Sequence, residues 1–587
     1  MPQARRKTPF STKAKKQQLQ ARKQRKTHVL LNSQRRDQDD DENAFTSEFG
    51  GPGIKKINKQ PCDNTGNKGK YALQFFQESQ LELKKRKEQA LEPVTVKTIE
   101  EQEISDDYFP EGIDMPKRPT WDFSMSKEEL DMREQKYFTE YLKSMEDLAD
   151  VSYFELNLET WRQLWRVIEM TDILLIIVDI RYPVMMFPPY LYKYITDDLG
   201  KDMILILNKV DLAPAPLVVA WQHYFQTKYP KLHILVFTSF PTYNVRQTDN
   251  NEDKKLKSRR RRGKLKMSAE GAQKIMEKCK EIVDGQVDLT SWHNKIQEEM
   301  HLEYDMDMEE IDRKENVMVE KKDTGYCVRE KYKNGVLSIG CVGTPNVGKS
   351  SLINALMGKK VVSVSRTPGH TKHFQTIYLT KNVCLCDCPG LVFPSTVPKP
   401  FQILMGSFPI AQVREPYSTI KFIAERIDLP KLLKLHHEDD DFVDGEEIWS
   451  AMDICDSWAA KRNFRTAKAA RLDSYRAANN LLRMTLEGKI CVLAYPPKWS
   501  KEQKTWETHP DVEIVQWIQA RMRTEEDHYY QEKLDSLSES DEDDAETNEE
   551  QETSEKDNSG DSKDESSDEE EIAPKWENKF QLLDEEM

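Results

Sequence analysis

The chain has 587 residues, 37% hydrophobic and 32% charged, with 87 Lys+Arg against 102 Asp+Glu for a net charge of −15; this length exceeds one compact core and allows roughly three or four domain-sized pieces. No apolar run reaches the roughly eighteen residues of a bilayer-spanning helix, which excludes membrane helices, and no apolar segment follows the basic start, which excludes a secretory signal and implies a reducing intracellular setting. The nine cysteines fit free thiols better than a disulfide framework, and Cys384, Cys386 and Cys388, alternating along one strand face, lack the His or Cys-x-x-Cys partner of a zinc set.

In chain order, the first 36 residues hold twelve Lys/Arg and no acid, so 1–70 reads as a basic, disordered arm with a short helix at 13–26. Residues 71–130 read as an extended linker with one amphipathic helix near 81–91, punctuated by Pro110, Pro116 and Pro119. Denser apolar patterning follows over 131–415. Leu158, Trp161, Leu164, Trp165 and Ile168 recur at helical steps, and apolar runs at 173–178, 203–207 and 232–237 alternate with helical stretches, the rhythm of a parallel sheet covered on both faces. That rhythm stops over 241–335, a polar insertion whose centre, 254–266, has nine Lys/Arg in thirteen positions. It resumes with strands expected at 336–342, 361–364, 374–379 and 383–386. Residues 416–525 turn helical, at 420–427, 448–461 and an Ala-rich 465–486 bounded by Gly488. Between Asp535 and Glu571 nineteen acids face only Lys556 and Lys563, making 526–587 an acidic, disordered tail.

Three short motifs carry chemistry. Gly343-Thr-Pro-Asn-Val-Gly-Lys-Ser350 matches G-x-x-x-x-G-K-[ST] between an apolar strand and a helix. There the backbone of Gly343, Asn346, Val347 and Gly348 and the helix start at Ser350 and Ser351 would cradle phosphates, Lys349 would neutralise the β and γ phosphates, and Ser350 would coordinate Mg²⁺. Asp387-Cys-Pro-Gly390 ends the next strand, suiting a carboxylate facing that metal through water and a Gly390 amide facing the γ phosphate. Arg366-Thr-Pro-Gly-His-Thr371 is a polar turn able to order around Mg²⁺–GTP, with Thr371 the better hydroxyl ligand than Thr367. Asn208-Lys-Val-Asp211 supplies guanine specificity: Asp211 accepts the imino and amino hydrogens that adenine does not present, Asn208 braces the pocket and the Lys209 stem covers the ring. Thr238 and Ser239 would bring a backbone N–H to the base oxygen. GTP or GDP with Mg²⁺ is therefore the expected ligand set, and an ATP-using enzyme is disfavoured by Asp211.

Base-reading motif, P-loop and switch occur in that order, whereas a Ras-like domain runs P-loop first; the order is circularly permuted, with 241–335 as the joint. The fold class expected is α/β, a circularly permuted Ras-like P-loop GTPase domain with a small C-terminal helical domain and disordered charged termini. Over 152–489 the chain resembles the permuted GTPases of the YlqF/YawG type, through Arg162-Gln-Leu-Trp-Arg166, Asp179-Ile-Arg181-Tyr-Pro183, Asn208-Lys-Val-Asp211, the P-loop, Thr367-Pro-Gly-His-Thr-Lys372 and Asp387-Cys-Pro-Gly390. The resemblance implies large-subunit assembly or an RNA-associated role, with ribosomal RNA or a pre-ribosomal particle as partner, in the nucleus and nucleolus with shuttling to the cytoplasm. Leu391 stands where many regulatory GTPases carry a water-positioning glutamine, so intrinsic hydrolysis should be slow. Asn346 has two readings: it places K⁺ beside the phosphates, as in related ion-stimulated GTPases, or it only shapes the loop.

The remaining features keep two readings each. The basic arm is an address read by nuclear import factors or a weak RNA contact, and both rest on charge. The run at 254–266 reaches RNA or is a solvated linker. The tail's Ser538, Ser540, Ser566 and Ser567 have acids three residues downstream, a pattern resembling acidophilic kinase sites. Lys468, Arg471, Arg476 and Arg483 form a basic face for RNA or an ordinary exposed helix surface. The expected protein is a monomer without membrane contact; the rival is a scaffold that holds GTP without turning it over.

Overall fold

Ile173–Asp179 (β1) is a continuous buried run, and such a run is stable only where both faces of a sheet are covered. In the computed structural model it lies near the centre of a seven-stranded sheet with Asp202–Asn208 (β2), His233–Val236 (β3), Val319–Glu320 (β4), Leu337–Val342 (β5), Gln375–Thr380 (β6) and Val383–Asp387 (β7). The order is β3-β2-β1-β5-β7-β6-β4. The first five in that order are parallel, while β6 runs antiparallel to both β7 and β4. The structure describes residues 80–104, 107–122, 124–146, 148, 151–238, 271–301, 319–320, 330–358, 361–362, 374–437, 449–466 and 471–519. The arm 1–70, the run 254–266, the turn 366–372, Ser239, Thr371, Lys468 and the tail lie outside these residues. So do 363–364 of the strand expected at 361–364, whose first two residues are in no strand.

Parallel pairing gives β1, β2, β5 and β7 a common direction, so the residues after each emerge along one edge of the sheet, where open α/β sheets bind ligands. β1 pairs with β2 on one side and β5 on the other, which sets the two halves of the permuted order edge to edge. In chain order the main helices are Gln80–Gln89 (α1), Lys127–Glu146 (α2), Leu158–Met170 (α3), Ala215–Lys228 (α4), 271–283 (α5), Thr290–His301 (α6), Lys349–Met357 (α7), Lys399–Leu404 (α8), Tyr417–Ala424 (α9), Leu429–Leu433 (α10), Ala451–Lys461 (α11), Ser474–Glu487 (α12), Trp499–Glu507 (α13) and Asp511–Gln519 (α14). α3 forms where its periodicity predicts, capped by the Asn157 side chain on Glu159 N. It sits so close to β5 that a Cβ on Gly340 would come 2.9 Å from Val167 Cγ1.

Three expectations change. The segment read as a polar insertion contains α5 and α6, which bury Ala272, Ile275, Met276, Cys279, Val283, Trp292 and Ile296; the apolar residues of α5 recur at three- and four-residue steps and cover the sheet. The Ala-rich helix begins at Ser474 rather than 465, because Arg465 and Leu472 pair as an antiparallel bridge and the Asp473 carboxylate accepts Arg476 N, capping the helix there. Gly488, at φ 80, ends it as expected.

The third concerns the linker, which is extended but packed. Val94 N donates to Trp449 O (2.8 Å) and Ile104 N to Tyr495 O (3.0 Å). The Glu103 carboxylate accepts Lys498 N (2.8 Å) and Ser500 N (2.6 Å) at the start of α13. Further on, Tyr108 O accepts Thr396 N (2.9 Å) and Pro116 O accepts Trp165 Nε1 (2.8 Å). Arg118 and Arg162 share the buried Glu134 carboxylate, at 3.0 and 2.7 Å, locking α2 to α3. The stretch is a belt joining the C-terminal helices to the sheet.

Behind the belt, Ser152 N and Glu155 N donate to Ser395 O and Val392 O (2.9 and 3.0 Å), pinning the segment that follows Gly390. Burial pushes the Glu155 carboxyl up to about 7, although the Asn157 and Leu156 N–H groups favour its charge. The folded chain thus keeps a proton that the unfolded chain releases near 4.5, and stability falls as pH rises through that interval. Glu155→Gln, which retains an acceptor for Asn157 N, is expected to be more stable than the parent by on the order of 2 kcal/mol above about pH 7, the gap closing toward about pH 5. Thermal melts of both chains across pH check this.

Candidate functional site

The P-loop leaves β5 at Val342 and enters α7 at Lys349. Its glycines are fixed by space. A Cβ on Gly343 would lie 2.4 Å from Ile177 O, and one on Gly348, where φ is 98, would lie 2.4 Å from Asn208 Nδ2. Only a bare backbone approaches β1 and β2 this closely, and that approach leaves loop N–H groups and the start of α7 available to an anion. Lys349 is buried, its Nζ donating to Gly343 O (3.0 Å) and Thr344 O (2.7 Å). Burial holds the ammonium pKa below its ordinary value against the opposing pull of Asp387. A buried cation resting on neutral carbonyls is a receptor for negative charge.

Asp387 ends β7 beside that lysine. Ser350 Oγ donates to Asp387 Oδ2 at 3.3 Å, and Asp387 Oδ1 is buried without a hydrogen-bond partner. Burial pushes the carboxyl up to about 6, opposed by Lys349 and by the Ser350 hydroxyl. Two hard oxygen donors next to a phosphate loop fit Mg²⁺, which takes few protein ligands and fills its shell with water and phosphate oxygens. No group of three or more His, Cys, Asp or Glu able to hold a metal occurs among the described residues. Gly390 packs on the P-loop, where an added Cβ would meet Pro345 Cα at 2.8 Å and Lys349 Nζ at 3.2 Å. Leu391 is fully buried, its N–H donating to Gly343 O at 3.2 Å.

The earlier half of the chain arrives at the same place. Asn208, at the end of β2, donates from Nδ2 to Val347 O at 2.6 Å, and its Oδ1 is buried without a partner. Lys209 sits at φ 58, its Nζ 2.9 Å from Asp179 Oδ2. Asp179 is fully enclosed; burial pushes its pKa up, but Arg181 and Lys209 overcome that and hold it well below the usual carboxylate range. Arg181 binds Asp179 through Nε (3.0 Å) and Nη2 (2.9 Å) and donates from Nη1 to Thr485 O (2.7 Å). The Asp-x-Arg motif, recognised in the sequence without a role, therefore ties the Lys209 loop to α12. Asp211 Oδ1 accepts the Thr238 hydroxyl at 2.7 Å. Thr238 thus orients the carboxylate through its side chain. Asn346, at φ 61, turns Nδ2 toward Gly406 O (3.5 Å). Val347 is buried and Ser351 lies in the first turn of α7.

One site therefore collects the P-loop, Asp387, Gly390, Asn208, Lys209 and Asp211, with Ser239 and Thr371 outside the described residues. The residue whose role was missed from sequence, Arg181 as a brace, acts in part through Thr485 O, a backbone atom remote in the chain.

Sequence comparison with known proteins agrees. The family of 50S ribosome-binding GTPases matches residues 338–426. Guanine nucleotide-binding protein-like 1 of Mus musculus is 45% identical over 553 residues, covering 88% of this chain and 90% of its own. Large subunit GTPase 1 of Saccharomyces cerevisiae is 31% identical over 400 residues, covering 65% of this chain and 58% of its own. Among solved structures, GNP-bound YlqF from T. maritima is similar at 16% identity and a TM-score of 0.30, covering 57% of this chain and 96% of its own. Fold and site define a circularly permuted P-loop GTPase that binds guanine nucleotide. The chain belongs to the guanine nucleotide-binding protein-like 1 family.

Proposed function

We propose that this GTPase turns GTP over slowly and uses its nucleotide state to govern attachment to a pre-ribosomal particle. The observation that carries the reading is the 2.6 Å bond from Asn208 to Val347 O, which makes base reader and phosphate cradle one pocket. In this reading Asp211 recognises guanine, the Lys209 stem lies over the ring, Lys349 and the α7 N-terminus bind the phosphates, and Ser350, Asp387 and Thr371 hold Mg²⁺. Mg²⁺, when bound, neutralises charge developing on the transferred phosphate. The chain's own groups orient the triphosphate, and the buried Leu391 excludes water without positioning it, which supports a low intrinsic rate. K⁺, in this reading, would act through Asn346. The names of the yeast relative and of the matching family support a large-subunit partner, and the exposed Arg471, Arg476 and Arg483 around α12 support RNA contact. Action as a monomer in the nucleus and nucleolus, with import through the basic arm, passage to the cytoplasm and phosphorylation of the tail, completes the proposal.

The base-reading role is tested by Asp211→Asn. Its amide presents a donor toward guanine's own donors, so GTP affinity should fall about 100-fold while that for xanthosine triphosphate rises, measured by competition binding. Unchanged preference would remove Asp211 from the pocket.

A further inference from the structure

The loop after β2 carries two carbonyls, Val210 O, which accepts Ala213 N at 3.4 Å in a single 3-10 turn, and Ala213 O, and one side chain from the far end of the described chain reaches both. Gln519, the last residue of α14, is 2% exposed. Its Nε2 lies 2.6 Å from Val210 O and 2.8 Å from Ala213 O, on either side of Asp211. Two carbonyl acceptors require the amide nitrogen and its two hydrogens at that point, so the orientation of the amide follows from chemistry. α14 packs along α4, burying Val512, Val515 and Ile518, and α4 begins just after this loop with Pro214 as its cap. The helix therefore serves as a rigid arm that delivers the amide.

We propose that Gln519 is a positioning residue for guanine recognition, fixing the Asp211 loop by donating one hydrogen to each flanking carbonyl while Thr238 fixes the carboxylate itself. The proposal rests on the assignment of Asp211 as base reader. A loop free to shift weakens first the contact that depends most on its placement, the one to the exocyclic amino group of guanine. Inosine triphosphate lacks that group and serves as the probe.

The test measures GTP and ITP affinities of the full chain, the parent beside Gln519→Met, which keeps the volume and removes both donors, Gln519→Ala, Val515→Ala, which loosens the same helix without touching the amide, and Asp211→Asn. Both Gln519 variants are expected to weaken GTP about tenfold and ITP by about threefold or less, narrowing the preference. Val515→Ala is expected to lower the melting temperature and keep the preference. Equal weakening of both nucleotides by the Gln519 variants, or none, overturns the role of Gln519 if Asp211→Asn still collapses the preference. A preference untouched by Asp211→Asn overturns the base-reading assignment, and this proposal with it.

Discussion

Lys349→Ala is expected to lower GTP affinity by at least about 100-fold while leaving the fold intact. The ammonium makes its present bonds to two loop carbonyls, Gly343 O and Thr344 O, and in the proposed complex exchanges them for phosphate oxygens. Charge-assisted bonds contribute roughly 1.5–3 kcal/mol each, and two of them correspond to about two to four orders of magnitude in affinity. Folding should suffer little, because burial already disfavours the charged lysine and its loss relieves that cost. Fluorescent GTP-analogue titration beside a thermal melt separates the effects. Retained affinity at an unchanged melting temperature would refute the phosphate role.

Arg181→Ala should instead strike stability. The guanidinium is 1% exposed and answers Asp179 with two bonds and Thr485 O with a third. Removing it leaves a buried carboxylate with Lys209 as its remaining cation and a helix-end carbonyl with the Gly488 N–H (3.2 Å) as its remaining donor. Deleting one member of a buried pair costs about 3–5 kcal/mol. Arg181→Lys should recover little of this, since an ammonium cannot span Asp179 and Thr485 O as the planar fork does. Removing both charges with Asp179→Asn and Arg181→Met should be milder than Arg181→Ala, because no unpaired charge is then buried. Denaturant unfolding of the three variants orders these costs. A loss below about 1 kcal/mol for Arg181→Ala would show that Lys209 alone satisfies Asp179.

The site was legible where chemistry dictates residue type at fixed local spacing. A loop pressed against Ile177 O and Asn208 needs glycine at 343 and 348, a phosphate needs a cation one residue further, and a guanine reader needs a carboxylate at a strand end. Strands β1, β2, β5 and β7 were legible because a central strand must be apolar on both faces. α5 was hidden by the basic run before it, although its Ala272, Ile275, Met276, Cys279 and Val283 keep a helical step. The belt was hidden for a different reason. Ile104, Phe109, Ile113 and Met115 are buried but follow no period, because an extended segment bonded through its backbone to distant carbonyls imposes little pattern on its side chains.

The sequence by itself determined the nucleotide chemistry and the inverted order of its parts, since both are properties of short contiguous strings. Tertiary structure alone decided that Asn208 meets Val347, that Arg181 reaches Thr485, that Thr238 turns its hydroxyl to Asp211 and that Gln519 closes on the loop around that carboxylate. Most of these contacts end on a backbone carbonyl, which every residue type carries; the acceptor leaves no mark in the sequence, and only the path of the folded chain brings a donor to it.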